Sequence, residues 1–350
     1  MKLNYEPLSK HIQLVDYRNS GEVNSTVLGI SIDKEFMPSV ANVIGTDLSR
    51  YKLISKGLFA CNPMHVGRDE RLPIALYEKD IPAIVSPAYF MFEIIDRDVL
   101  NEEYLMMWFR RPEFDRECWF MTDGSVRGGI TWDDLCRIKL PVPSYERQCE
   151  IVESYRAITD RIALKRAEND NLEAVLAASH SKMFFSKDTS EHTKLGELMT
   201  FGNGKSRPKT DGPIPVYGGN GVLSYTDHHN IENAVLIGRV GAYCGSVYLE
   251  QGICWVSDNA IFAKSKITKD EFFDYFLLKR LNLFNHHVGT GQQLLTQEIL
   301  NNIEVPKPVT EQIELFNRKA ASVFETIFTN SREIIRLQEL SDLLLSRLAG

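Results

Sequence analysis

Long apolar runs are missing from this sequence, and so are the cysteine and histidine patterns that hold metals. No stretch is apolar for long enough to span a bilayer, and the opening MKLNYEPLSKHIQ lacks the apolar core of a signal peptide. The six cysteines, at 61, 118, 136, 149, 244 and 254, form no C-x-x-C pair and no zinc spacing. The expectation is a reduced, cytoplasmic protein with incidental thiols and no metal. An excess of positive charge is absent too: 40 basic against 47 acidic side chains leave a net charge of -7. That speaks against a free-standing nucleic-acid binder unless its cations cluster on one face or a partner supplies positive surface.

Catalytic signatures are equally scarce. The amino-methyltransferase motif D/N-P-P-F/Y is absent, and its nearest match, Asn62-Pro63-Met64, lacks the second proline and the aromatic. No H-E-x-x-H and no G-x-S-x-G occurs, and no G-x-G-x-x-G follows a strand at a helix start. GNGKS resembles a phosphate loop, but G-x-x-x-x-G-K-S/T needs a glycine where Met199 stands. His228-His229 and His286-His287 are adjacent pairs, which a strand turns to opposite sides. The expectation is a chain without catalytic residues or a cofactor of its own.

What the sequence does contain is one segment twice. Residues 124–185 and 289–350 superimpose without a gap under a shift of 165: Gly124 meets Gly289, Thr131 meets Thr296, Pro141 and Pro143 meet Pro306 and Pro308, and Glu146 meets Glu311. Each copy is a glycine-containing turn, a P-x-P turn and a long helix. In the first helix Ile151, Tyr155, Ile158, Ile162, Lys165, Asn169, Leu172 and Leu176 follow alternating steps of four and three. Phe316, Ala320, Val323, Ile327, Asn330, Ile334, Leu337, Ser341 and Leu344 do so in the second, in the same phase. A heptad seam over roughly ten turns predicts coiled-coil packing, with polar seam positions setting register at some cost in stability. The alternative is two amphipathic helices, each lying on its own globular half.

The segments before each copy differ and read as variable α+β halves. In the first, 27–36, 51–64 and 72–95 have strand character, and 101–114 reads as a helix stopped by Pro112. In the second, 234–264 is a run of buried strands and 270–284 repeats the helix. Polar loops carry the candidate ligand-binding residues. Arg18, Ser20, His65 and Arg68 can reach phosphates or base edges, and Arg127 precedes two glycines at a helix start that Thr131 caps. Lys205, Arg207 and Lys209 lie in a Gly- and Pro-rich loop near Tyr217 and Asn220, Arg239 sits between glycines, and Gln292 follows Gly291. Each of these loops also reads as an ordinary solvated one.

Two variable halves, each followed by a near-repeated P-x-P turn and long helix, resemble the specificity subunit of type I restriction–modification systems. The likeness rests on LPVPSYERQCEIV, VPKPVTEQIELF, the KLGEL entry to the second half, and the strands LIGRVGAYCG and WVSDNAIF. The first half departs from it, entering on YEPLSKHI without an LGE-type start. The resemblance implies target recognition domains at 1–143 and 187–308, with conserved coiled-coil helices at 144–186 and 309–350. It implies an α+β fold with an internal pseudo-twofold repeat, the two domains held apart by antiparallel helices that set the spacing of a split, asymmetric double-stranded DNA target. Two modification (methyltransferase) subunits would bring S-adenosylmethionine, and restriction (translocase-nuclease) subunits would join them. A different class of function, suggested by the acidic net charge, is a coiled-coil scaffold whose globular halves bind proteins or glycans.

Overall fold

The computed structural model describes residues 4–20, 26–40, 45–64, 66–122, 128–186, 191–289 and 291–348. It divides into two units, one of Met1–Leu164 with Glu333–Gly350, the other of Lys165–Arg332. Each unit is thus assembled from an α+β half and parts of both long helices.

In the first unit the alternating apolar stretches become short strands: β1 (Tyr5–Pro7), β2 (Ile12–Leu14), β3 (Val27–Ile30), β4 (Phe36–Pro38), β5 (Lys52–Ile54) and β6 (Phe59–Cys61). The one-turn helix α1 (Val66–Asp69) leads to β7 (Ile74–Leu76), β8 (Ala83–Val85) and β9 (Phe90–Ile94). Two four-stranded sheets result, ordered β2-β9-β6-β7 and β4-β3-β8-β5. Helices α2 (Glu102–Phe109), α3 (Pro112–Phe120) and α4 (Trp132–Arg137) follow, then β10 (Lys139–Pro141) and the 41-residue α5 (Tyr145–Phe185). Pro112 does more than stop a helix. It opens α3 at the position where a missing N–H costs nothing, so the single helix expected over 101–114 is two.

The second unit carries β11 (His192–Lys194), α6 (Leu195–Leu198), β12 (Met199–Asn203), β13 (Ile214–Gly218), β14 (Gly221–Thr226), β15 (Ile231–Gly238), β16 (Val247–Val256) and β17 (Ala260–Ser265). Its strands form one six-stranded sheet, β12-β17-β15-β16-β13-β14. After it come α7 (Phe272–Arg280), α8 (Gln297–Asn302), β18 (Glu304–Pro306) and the 38-residue α9 (Thr310–Arg347).

The repeat is visible in how each half closes. Strand β1 pairs antiparallel with β10, and β11 with β18, with Tyr5 opposite Pro141 and His192 opposite Pro306. Leu8 then donates its amide to Ile138 O at 2.8 Å, and Leu195 donates to Ile303 O at 2.9 Å. Residues 138 and 303 are one repeat position, and both leucines are fully buried. The entry YEPLSKHI therefore does the work of the KLGEL entry without its LGE. Thr131 and Thr296, also one repeat position, cap α4 and α8 through Asp134 N and Ile299 N.

Both long helices enter both cores. In the first unit Val152 of α5, Leu345 of α9 and Leu348 just beyond it join the cluster around Phe59, Phe92 and Phe109. In the second, Leu176 and Phe184 of α5 pack with Ile313, Phe316, Ala320 and Phe324 of α9 against Phe273 and Phe276 of α7. Each such side chain contributes about 1.5–3 kcal/mol of burial. The pattern excludes helices that each lie on their own half alone. Within the second unit Lys165 Nζ meets Asn330 Oδ1 at 2.8 Å, Asn169 reaches Ile327 O, and the His180 ring lies 5.3 Å from that of Phe316. Within the first, Arg161 pairs with Glu333, and Arg111 Nε donates to Leu345 O at 3.1 Å. As numbers rise along α5 they fall along α9, so the pairing is antiparallel in each unit. All thirteen apolar and aromatic seam positions named from spacing are buried or half-buried; at the end of α9, Leu345 is more deeply buried than Leu344.

A buried amide fastens each helix root to its unit. Gln148 accepts from Asn101 N, the cap of α2, and donates to Val99 O and Pro143 O at 2.9 Å each. Asn317 accepts from Phe273 N at the start of α7 and donates to Thr268 Oγ1 and Asp270 O.

Candidate nucleic-acid interface

In the second unit, one end of the six-stranded sheet gathers polar groups from four segments. Strand β15 ends on Gly238, where only glycine fits because a Cβ would stand 2.1 Å from Tyr243 O. Arg239 follows. Its amide donates to Asn259 O at 3.0 Å, its carbonyl accepts from Leu295 N, and its Nη1 lies 3.3 Å from Asp258 O. Its Nε is enclosed with no partner among the described residues, a donor whose desolvation costs about 1–3 kcal/mol. The hairpin turn at Gly219-Asn220 arrives beside Asn259, Val240 and Tyr243, and Ser246 Oγ donates to Gly219 O. Gly241 N donates to Gln293 O at 3.0 Å, bringing in the 291–295 loop. Lys205 bridges to Ser257 at the same sheet end.

Of the residues singled out from sequence, Lys205, Asn220, Arg239 and Gln292 therefore lie on segments whose backbones meet at this sheet end, with Lys205, Asn220 and Gln292 exposed. Arg207 and Lys209 lie farther along the loop, beside the edge strand β14. Tyr217 points elsewhere: its hydroxyl donates to Glu250 Oε2 at 3.0 Å, and burial beside that carboxylate raises its pKa. Tyr243, Asn259 and Gln293 join the bay and were not anticipated. The available signal was Ser257-Asp258-Asn259, a polar turn between two apolar runs. The resemblance of GNGKS to a phosphate loop also dissolves here. Gly202 lies under the Phe262 ring and Gly204 under Ser257 O, so these glycines admit close strands.

In the first unit, an open hollow of about 800 Å³ is lined by Arg18, Ser20, Ser49, Arg50 and Pro87. Arg18 is engaged from both sides, by Asp16 Oδ2 at 2.8 Å and by Arg50 O at 2.7 Å. Lys52 lies behind it and donates to Tyr89 O; burial lowers its pKa. Arg68 is paired with Asp69 at 2.6 Å on α1, away from this hollow's lining. His65 and Arg127 lie outside the described residues. Among the described residues no group of histidine, cysteine and acidic side chains could hold a metal ion, all six cysteines are unpaired, and no helix is long and apolar enough to cross a membrane.

Comparison with known proteins adds a family and a fold. The family model described as "Type I restriction modification DNA specificity domain" matches residues 187–343. No curated protein matches the chain. Among solved structures, the S subunit of a type I restriction-modification system from M. genitalium is similar over 99% of this chain and 96% of its own, with a TM-score of 0.61 at 14% identity. The HsdS subunit from Thermoanaerobacter tengcongensis covers 99% and 96% at 16% identity, with a TM-score of 0.39, too low to bear on the fold. Residues 187–343 thus match the type I restriction modification DNA specificity domain family, and the chain is similar in its α+β fold to a solved type I S subunit.

Proposed function

We propose that this chain is the non-catalytic, DNA-reading specificity subunit of a type I restriction–modification enzyme. Each α+β half reads one part of a split, asymmetric target, and the paired helices set the gap between the parts. The observation that carries this reading is the bay at the end of the six-stranded sheet. There amides and a guanidinium gather on glycine-rich turns inside the stretch matched by the specificity-domain family. Such groups suit the donor and acceptor edges of bases. Neither half offers a nucleophile–base pair among the residues singled out, so methyl transfer is assigned to partner modification subunits. Those partners would carry S-adenosylmethionine and flip the target base out of the stack. Restriction subunits would complete the cutting enzyme.

The length of the helices fits the spacing role. Helices of 41 and 38 residues are about 60 Å long, and buried amides root them in their units. Purified with its methyltransferase partner, the chain is expected to direct methylation to a two-part sequence of fixed gap. Methylation at a lone half-site, indifferent to spacer length, would overturn the reading.

A further inference from the structure

The loop from Lys205 to Thr210 leaves the six-stranded sheet and returns to it, fastened at both ends. At the near end the Lys205 amide donates to Val256 O at 2.9 Å, and Trp255 Nε1 donates to Lys205 O at 3.3 Å. Gly204 fits so closely that a Cβ would stand 1.9 Å from Ser257 O. At the far end Thr210 Oγ1 donates to Asp227 Oδ1 and lies 3.0 Å from Thr226 Oγ1. A Cβ on Gly212 would stand 2.3 Å from Asp227 N. Midway, Pro208 fixes its own φ and keeps Arg207 extended.

Three cations alternate along this fastened loop, Lys205, Arg207 and Lys209, and all three are exposed. No carboxylate among the described residues pairs with any of them, whereas Arg18 and Arg68 are each spent on an aspartate. Two acids lie beside the loop, and neither forms an ion pair with its cations among the described residues. Asp227 is held by Thr210 and His228, and Asp211 lines the same shallow hollow of about 380 Å³ as Arg207, Lys209 and the exposed Tyr225. In a chain of net charge -7, three unpaired cations in five residues form a local field of opposite sign. Their spacing matters as much. Alternate residues of extended backbone lie roughly 6–7 Å apart. Successive phosphates of one B-form strand lie about 7 Å apart, given their rise and a tenth of a turn per step.

We propose that Lys205, Arg207 and Lys209 form a rail that grips three consecutive phosphates of a single DNA strand. It positions the second unit along the duplex while the neighbouring bay meets base edges. The proposal rests on the DNA-reading function above and adds a division of labour: the rail supplies affinity and register, not sequence choice.

The test uses the full chain and duplexes carrying its methylated target. Binding is measured by fluorescence anisotropy over a salt series for the parent, for Lys205→Gln/Arg207→Gln/Lys209→Gln, and for Lys205→Arg/Lys209→Arg. The glutamine variant is expected to lower the slope of log K against log salt by about 2.7, three contacts at about 0.9 each. The arginine variant keeps the parent slope. In cells the glutamine variant leaves the methylated sequence unchanged. Neutral methylphosphonates at three successive positions of one strand should reproduce the loss for the parent and add nothing to the glutamine variant. An unchanged slope, a changed target sequence, or additive losses with every methylphosphonate placement would overturn the rail. A parent chain without salt-sensitive DNA binding would instead remove the DNA-reading function itself.

Discussion

Replacing Asn330 tests whether a polar node holds the two helices in one register. Asn330 is 3% exposed. Its Oδ1 accepts from Lys165 Nζ at 2.8 Å, and its Nδ2 donates to Asn169 Oδ1 at 2.9 Å and Glu168 Oε2 at 3.1 Å. Under the 165-residue shift Lys165 and Asn330 are the same position, so the antiparallel pair meets itself there with unlike side chains. Asn330→Ala removes one charge-assisted bond, about 1.5–3 kcal/mol, and one neutral amide bond, about 0.5–1.5 kcal/mol. The bond to the half-exposed Glu168 adds little. A loss of about 2–4 kcal/mol is expected, read from the shift in urea midpoint of the helical circular-dichroism signal. Lys165→Met/Asn169→Leu/Asn330→Leu replaces the node with apolar packing and should recover most of that loss, because a satisfied polar cluster is often no more stable than hydrophobic side chains of similar size. Its cost should appear as relaxed register, seen as more than one distance between spin labels on α5 and α9. An alanine variant within about 0.5 kcal/mol of the parent, or an apolar triple variant with one sharp distance, would refute the reasoning.

Other outcomes follow from particular contacts. His180 is enclosed by Phe184, Phe273, Phe276 and Phe316, and burial depresses its pKa from 6.5 to about 3. The folded state therefore disfavours the proton. Stability is full above about pH 6.5 and falls as pH drops toward 3, and His180→Leu should flatten that limb in acid-denaturation curves. Asp274 behaves oppositely: burial raises its pKa to about 7, so stability declines as pH rises from about 4 through 7, and Asp274→Asn should remove that decline. In the first unit Lys34 Nζ is buried against Asp115 Oδ1 at 2.6 Å and Leu72 O. Asp115→Ala should cost about 3–5 kcal/mol by leaving a buried cation, whereas Lys34→Met/Asp115→Leu should cost far less in thermal denaturation. Arg239→Ala is expected to relax the methylated sequence at one position of one half-site and to cost about 1–3 kcal/mol of target binding there.

Most of the architecture was legible because heptads and P-x-P turns are local signals. The two long helices and the Thr131 cap follow from residues within one or two turns of each other. What escaped was what long-range packing decides. Nothing local distinguishes the two four-stranded sheets of the first unit from the single six-stranded sheet of the second. Leu345 outranks Leu344 in burial because the end of α9 is fixed by Arg111, more than two hundred residues away in sequence. The bay was half-legible: Arg239 and Asn220 stood out among glycines, while Asn259 and Gln293 reach it only through backbone bonds to distant strands.

The proposed spacing role of the paired helices is tested most directly by lengthening both at once. Duplicating residues 158–164 of α5 and the facing 331–337 of α9 adds one heptad to each, about 10.5 Å of rise and close to two whole turns, so faces stay aligned. Methylome sequencing of cells carrying this variant with its partner subunits should return both half-sequences unchanged, with a gap wider by one to about three base pairs, the upper bound set by about 3.4 Å per pair. An unaltered gap, or altered half-sequences at the old gap, would contradict the account.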